Sequence, residues 1–265
     1  MNYIPKIIHY CWFGNNPLPP LAIKCIESWK KYCPDYEIKQ WNESNFDINY
    51  NEYTKQAYKN KKWAFVSDVT RLYAVYAEGG VYLDTDVELI KPIDDLLNGS
   101  MFIGFETKRL INTGLGFGAE KNFSIVKKML DIYNNISFIN KNGTINMISC
   151  PVYNTKIMRQ ENFKINNKQQ TKNAVTVYPT EYFCPIDVMT RSIYITENTY
   201  AIHHFSGSWL TIAEKQEKAV ISEYRRKYGK ISGSILYIIT AIFTLRNSGI
   251  NNILKKLNIR ISERT

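Results

Sequence analysis

Paired cysteine is the first thing this chain lacks. Its five cysteines, Cys11, Cys25, Cys33, Cys150 and Cys184, are odd in number, show no Cys-x-x-Cys spacing and sit in apolar segments. They argue against a disulfide framework and fit buried thiols in a reducing compartment. No apolar run reaches the roughly 18 residues of a membrane-spanning helix. The opening MNYIPKIIHYCWFG has no basic stretch leading into a long apolar core, so no secretory signal is read there and the cytoplasm is the expected location. Internal repeats are missing as well. With 13 Gly and 9 Pro the chain is not collagen-like, and 45% hydrophobic against 22% charged residues is material for one packed domain with a short appendage.

Acid is the scarcer charge: 24 Asp and Glu against 34 Lys and Arg leave a net charge of +10. Such an excess suits nucleic acid, an anionic membrane or phosphorylated substrates, and its position decides among them. Glu214 to Thr265 holds eleven basic residues and four acids, so the excess is mostly a property of the tail. On this basis residues 1–213 form the main domain and residues 214–265 a basic extension.

Ile4 to Trp12, rich in Ile, Tyr and Trp, predicts an opening strand that ends at Gly14 and the turn residues Pro17, Pro19 and Pro20. Leu21, Cys25, Trp29 and Cys33 recur every four residues and predict a helix stopped by Pro34. Tyr36 to Trp41 reads as a second strand and Asn51 to Lys61 as a polar helix, which sets an α/β rhythm. From Trp63 the apolar face Phe65, Val69, Leu72 and Tyr76 predicts a helix that ends at Gly79-Gly80. VYLDTDVEL then reads as one strand, with Val81, Leu83, Thr85, Val87 and Leu89 alternating with Tyr82, Asp84, Asp86 and Glu88, so that the acids share a side. A strand near Met101 to Phe105, a glycine-punctuated extended piece from Asn112 to Gly118, a helix near Phe123 to Tyr133 and apolar runs at Val175 to Tyr178 and Tyr200 to Phe205 complete the pattern.

Asp84 and Asp86, one residue apart beside a buried strand, are costly unless a cation or hydrogen-bond donors meet them. Oxygen ligands of this kind suit Mg²⁺ or Mn²⁺, which bridge carboxylates to a substrate diphosphate. Asp-x-Asp also occurs in exposed turns, but the flanking YL and VEL argue against simple exposure here. Asp68 and Arg71 lie three apart on the preceding helix and project together; they read either as a helix ion pair or as two charges for a polyol ligand. His203 and His204, two of the three histidines, close an apolar run before Phe205-Ser206-Gly207-Ser208-Trp209. A histidine there can complete a divalent site while the serine and the indole N–H reach phosphate oxygen. His9 reads as structural.

Together IIHYCWFG, SDVTRLYAVYAEGGVYLDTDVE and HHFSGSW resemble the DXD-containing glycosyltransferases of family 32, the capsular and lipopolysaccharide sugar transferase type, and more distantly clostridial large-toxin glucosyltransferase domains. The resemblance runs from about Ile4 to Trp209. It implies a GT-A fold, a nucleotide-sugar donor with a UDP-sugar favoured over a GDP-sugar, a divalent cation (Mn²⁺ or Mg²⁺) and retention of anomeric configuration. By the same resemblance Trp12 stacks on the donor base, although a core Trp is the other reading. Asp68 and Arg71 hold the donor sugar, Asp84 touches ribose or sugar and reaches the metal through water, and Asp86 binds the metal directly. Asn112 lines the sugar pocket, and Ser208 and Trp209 grip the diphosphate. Either His203 or His204 completes the metal site, with His204 preferred. Asp68, Arg71, Asp84 and Asp86 then carry the catalysis, with no nucleophile among them.

The expected acceptor is a growing capsular, lipopolysaccharide or lipid-linked oligosaccharide. A protein acceptor, as for an effector-like enzyme, is the alternative within the fold. A basic nucleic-acid-binding protein is the alternative of another class; the confinement of charge to the tail and the lack of a base-reading motif argue against a nucleic-acid partner. In the tail, Ile235 to Leu245 is apolar between Lys230 and Arg246, with Arg225, Arg226, Lys227, Lys255 and Lys256 nearby. It reads equally as a helix lying peripherally on an anionic membrane surface or as a packing or dimer segment.

Overall fold

Strand β1 (Ile7–Cys11) opens the fold, its β-branched and aromatic residues suited to a sheet interior. Helix α1 (Pro20–Tyr32) starts with proline at its first position and buries Ala22, Cys25, Ile26 and Trp29. Strand β2 (Glu37–Trp41) runs parallel to β1. Helix α2 (Glu52–Lys59) is capped by Asn51, whose side chain accepts the Thr54 N–H. Helix α3 (Trp63–Glu78) then delivers β3 (Gly80–Tyr82) to the other side of β1, again parallel. Gly80 makes that hand-over possible: its φ is +100°, and a Cβ there would lie 2.7 Å from the Ile7 carbonyl oxygen. The structure, a computed structural model, describes residues 4–187, 189–207 and 212–248.

The single strand expected over residues 81–89 is instead two strands in two sheets. Strand β3 stops at Tyr82, the chain turns with the Val87 N–H donating to the Asp84 carbonyl oxygen at 2.9 Å, and β4 (Val87–Leu89) begins beyond it. Aspartate is a poor strand residue and a good turn residue, so the acidic pair breaks the ladder. What brings the two carboxylates together is this turn and not strand alternation. Strand β4 pairs antiparallel with β10 (Ala201–His203), forming a separate small sheet.

The remaining elements are β5 (Met101–Thr107), β6 (Leu110–Asn112), β7 (Phe117–Ala119), α4 (Ser124–Asn134), α5 (Cys150–Gln160), β8 (Gln170–Lys172) and β9 (Val175–Tyr178). The main sheet has the order β2-β1-β3-β7-β5-β9-β8, with β6 on β5. It is mixed: β7 runs antiparallel to both β3 and β5, whereas β5 and β9 are parallel. Alternation along β5 sends Met101, Ile103 and Phe105 into one apolar cluster with Val69, Leu72 and Met129, and Phe102 into another with Ile8, Trp29 and Val81. Helices thus cover a mixed sheet, the α/β class expected from the sequence.

Helix α5 has no counterpart in the sequence reading. Its buried face carries Asn154 and Thr155 beside Ile157 and Met158, so no apolar period marks it. Those polar groups bond internally in part: Asn154 donates to Thr113 Oγ1 at 3.0 Å and Thr155 Oγ1 accepts the Ile111 N–H at 2.9 Å, while the Asn154 side-chain oxygen is buried without a partner.

By chain contacts there are two units, Met1–Pro185 with Ile195–Trp209, and Ile186–Tyr194 with Leu210–Thr265. In the second, α6 (Ile212–Tyr228) and α7 (Lys230–Ser248) form a hairpin joined at Gly229. Tyr237 donates to Glu217 at 3.0 Å and Arg225 to Ser234 at 2.9 Å, while Ile231, Ile235, Ile238 and Ile239 of α7 are exposed. Among the described residues, no helix is long and apolar enough to cross a membrane.

Candidate active site

The carboxyl ends of β1 and β3 open on a cavity of about 700 Å³, the position where open α/β sheets take their ligands. Helix α3 supplies Asp68 and Arg71 to its wall, the turn after β3 supplies Asp84 and Asp86, β5 supplies Glu106, β6 supplies Asn112, and β10 supplies His203. Trp12, Phe13, Asn16, Lys61, Lys62 and Trp63 also line it.

Arg71 is the buried cation of the site. One of its terminal nitrogens, Nη2, lies 3.1 Å from both Asp68 Oδ1 and Asp84 Oδ1, its Nε donates to the Ser67 carbonyl at 3.2 Å, and the guanidinium sits 5.0 Å from the Tyr82 ring. The helix ion pair is therefore shared with Asp84. The Tyr82 hydroxyl donates to the same Asp84 Oδ1 at 2.8 Å, which leaves Oδ2 outside these bonds. Burial pushes the Asp68 carboxyl up to about 6 against the pull of Arg71, and pushes Asp84 up as well.

Asp86 is held differently. Burial opposes its ionisation, but His203 Nε2 at 3.2 Å from Oδ1 and the Ser206 N–H donating to Oδ2 at 2.7 Å keep its carboxyl below the usual range. In His203, burial is outweighed by the facing acids and the pKa is raised. The second ring nitrogen, Nδ1, is buried without a hydrogen-bond partner. One ligand atom from each of Asp84, Asp86 and His203 lies within 4.8 Å of the others. Two carboxylates and an imidazole with an unspent nitrogen fit a divalent cation, and the oxygen majority suits Mn²⁺ or Mg²⁺.

The histidine beside the acids is His203 and not the preferred His204. In β10, His203 pairs with Val87 and turns toward the acids, and the next side chain points the other way. His204 Nε2 is 2.8 Å from Glu88 Oε2, and Glu88 also accepts from Lys24. Trp12 is at the cavity wall with its indole N–H donating to the Asn16 carbonyl at 2.6 Å, a half-buried position compatible with a stacking face. Asn112 lies in the wall, its amide donating to Glu106 Oε2 at 2.7 Å and its carbonyl accepting the Gly114 N–H at 2.7 Å. Ser208 and Trp209 lie outside the described residues. His9 is structural: its ring bridges the Gly79 carbonyl at 2.7 Å and the Trp41 indole at 3.1 Å.

The sequence reading missed three contributors. Tyr82 reads in the sequence only as a strand residue, and its hydroxyl holds Asp84 Oδ1. Gly114 was one of several punctuating glycines, yet a Cβ there would come within 2.3 Å of Asp84 Oδ2 and 2.9 Å of Arg71 Nη1. Its place beside Asn112 in INTGLGF was the available signal. Glu106 ends an apolar strand, and an acid at that place was a signal left unused.

Residues 19–103 match the family described as glycosyltransferase sugar-binding region containing DXD motif. That stretch takes in Asp68, Arg71, Asp84 and Asp86, and its likeness to a DXD-containing sugar-binding region agrees with the resemblance read from the sequence. Inositol phosphoceramide mannosyltransferase 3 of Schizosaccharomyces pombe is 30% identical over 103 residues, 36% of this chain and 28% of that protein. Its relative inositol phosphoceramide mannosyltransferase 1 is matched over 34% of its length, so the chain spans about a third or less of both. An uncharacterised glycosyltransferase of Acanthamoeba polyphaga mimivirus is 24% identical over 78% of this chain and 84% of its own. The solved structure of PaToxG glycosyltransferase, 20% identical, superposes with a TM-score of 0.48 over 60% of this chain and 70% of that one.

Proposed function

We propose that this protein is a metal-dependent, retaining glycosyltransferase of GT-A type that moves a hexose from a nucleoside diphosphate sugar, UDP-linked or GDP-linked, to a glycan or lipid-linked oligosaccharide. The observation that carries this reading is the convergence of Asp84, Asp86 and His203 on a cavity that also holds Arg71 and Trp12. Asp86 and His203 would hold Mn²⁺ or Mg²⁺ directly, with Asp84 beside them. A cation bound there neutralises a diphosphate leaving group. Arg71 fixes Asp84 and Asp68 through Nη2, so that Asp84 Oδ2 keeps one direction. Trp12 covers the base, and Ser208 and Trp209 are assigned to the diphosphate by the family resemblance. No side chain is assigned as nucleophile; the anomeric C–O bond to the diphosphate would break with oxocarbenium-like character while the acceptor hydroxyl oxygen bonds to that carbon and its proton passes to the departing diphosphate, whose charge these groups stabilise.

A thermal-shift screen of the full chain against UDP-, GDP-, ADP- and CMP-sugars, each with Mn²⁺, Mg²⁺ or EDTA, tests the reading by mass action. A metal-dependent rise with one donor is expected. No rise with any of them counts against a nucleotide-sugar site.

The acceptor side of the proposal rests on the α6–α7 hairpin, where an exposed row of isoleucines on α7 adjoins Arg225, Arg226 and Lys227 at the end of α6. Such a surface suits peripheral attachment to an anionic leaflet, each basic residue contributing about 1 kcal/mol. The mannosyltransferase relative is named for a lipid acceptor, which agrees with an acceptor presented at a membrane. Co-sedimentation of the full chain with phosphatidylglycerol vesicles but not phosphatidylcholine vesicles is expected; equal failure with both removes the membrane surface.

A further inference from the structure

Glu106 is an acid in a cavity proposed to receive a diphosphate, and no role has been given to it. It stands at the end of β5, half-buried, and lines the same wall as Asp84, Asn112 and His203. Asn112 fixes it. The Asn112 side-chain carbonyl accepts the Gly114 N–H at 2.7 Å and the Cys150 thiol at 3.3 Å, so its amide nitrogen must face the other way, where it donates to Glu106 Oε2 at 2.7 Å. Asn112 is thereby spent on the protein. Glu106 is not: among the described residues Asn112 takes only Oε2, which leaves Oε1 outside that bond in a side chain that lines the cavity.

We propose that Glu106 reads a hydroxyl of the transferred sugar through Oε1, with Asn112 as its positioning residue. This inference rests on the nucleotide-sugar reading and names the part of the donor that the β5–β6 wall recognises. An ionised carboxylate only accepts hydrogen bonds and repels phosphate, so within a nucleotide sugar its partner is a neutral group that donates. Ring hydroxyls are such groups. The position agrees: Glu106 shares the cavity lining with His203 and Asp84, and a hexose is bonded directly to the phosphate that those metal-binding residues would hold. The aromatic and basic residues Trp12, Lys61, Lys62 and Trp63 leave the nucleotide a different part of the lining. Burial raises the Glu106 carboxyl above its ordinary range, with His203 and Asn112 opposing; a hydroxyl on Oε1 compensates for the lost hydration.

The test compares calorimetric titrations of wild-type, Glu106→Ala and Glu106→Gln full-length protein with two probes in Mn²⁺: the nucleoside diphosphate alone, and the UDP- or GDP-hexose that stabilises the wild type most. Glu106→Gln can keep the Asn112 contact while presenting an N–H₂ to the cavity, which guards against a folding effect. The expected result is an unchanged affinity for the bare diphosphate and a loss of about tenfold or more for the sugar nucleotide in Glu106→Ala. In Glu106→Gln the ranking of epimeric hexoses changes. Equal losses for both probes, or none for either, overturn the role of Glu106. A wild type that binds neither probe overturns the nucleotide-sugar reading itself, and the role of Glu106 with it.

Discussion

The two ends of the Asp84–Thr85–Asp86 turn solve one problem, a half-buried carboxylate, in opposite ways. Asp84 meets a guanidinium and a tyrosine hydroxyl, partners whose charge and position are permanent at neutral pH. Asp86 meets an imidazole and a backbone N–H; the imidazole can release its proton and become a ligand in its own right. One end is closed by the protein, and the other is closed only provisionally. The turn therefore has a rigid side that fixes direction and an adjustable side that can accept a cation.

The contrast is broken most severely from the adjustable side. Asp86→Ala is expected to lower Mn²⁺-dependent donor affinity by at least about 100-fold, and His203→Ala by roughly 10- to 100-fold, both read by titration with and without EDTA. Undiminished donor affinity in Asp86→Ala at saturating Mn²⁺ removes the assigned site. From the rigid side, Gly114→Ala forces a methyl group against Asp84 Oδ2 and Arg71. A loss of about 1–3 kcal/mol in stability is expected by denaturant unfolding, together with weaker metal binding. A fully wild-type unfolding midpoint and metal affinity would show that Asp84 is not held as tightly as its partners indicate. The smallest effect sharpens the comparison: His204→Ala removes a partly exposed pair with Glu88, so it should cost roughly 0–1 kcal/mol and leave metal affinity unchanged.

Regular elements were legible where one periodicity governed them. Helix α3, with Phe65, Val66, Val69 and Leu72 inward, and strand β1 announce themselves because burial and period agree. Helix α5 does not, because Asn154 and Thr155 take core positions through specific hydrogen bonds. The DTD residues were legible as two acids that meet and misread in how they do so: alternation continues through VYLDTDVEL, but the turn hydrogen bond between Val87 and Asp84 interrupts it. Neighbouring histidines posed a similar difficulty. Only the register of β10 on β4 separates His203 from His204, and register across more than a hundred residues is a tertiary fact. Asp68, Arg71, Asp84 and Asp86 were drawn together correctly because a helix, two glycines and a short strand leave them little freedom.

The pairing of β4 with β10 also sets a schedule. The acids of the turn are made early in the chain, and the residues that answer them, His203 and the Ser206 N–H, come about 120 positions later. A ribosome-bound chain that has emerged only through β9 can build the large sheet, yet it holds Asp86 without its imidazole. Capture of a cation by this turn would then be a late event in synthesis, gated by the arrival of one three-residue strand, since loop closure over that separation is slow compared with local helix formation. Metal uptake in arrested nascent chains of increasing length would rise in a step once β10 clears the tunnel, and the ion would then time the closure of the small sheet.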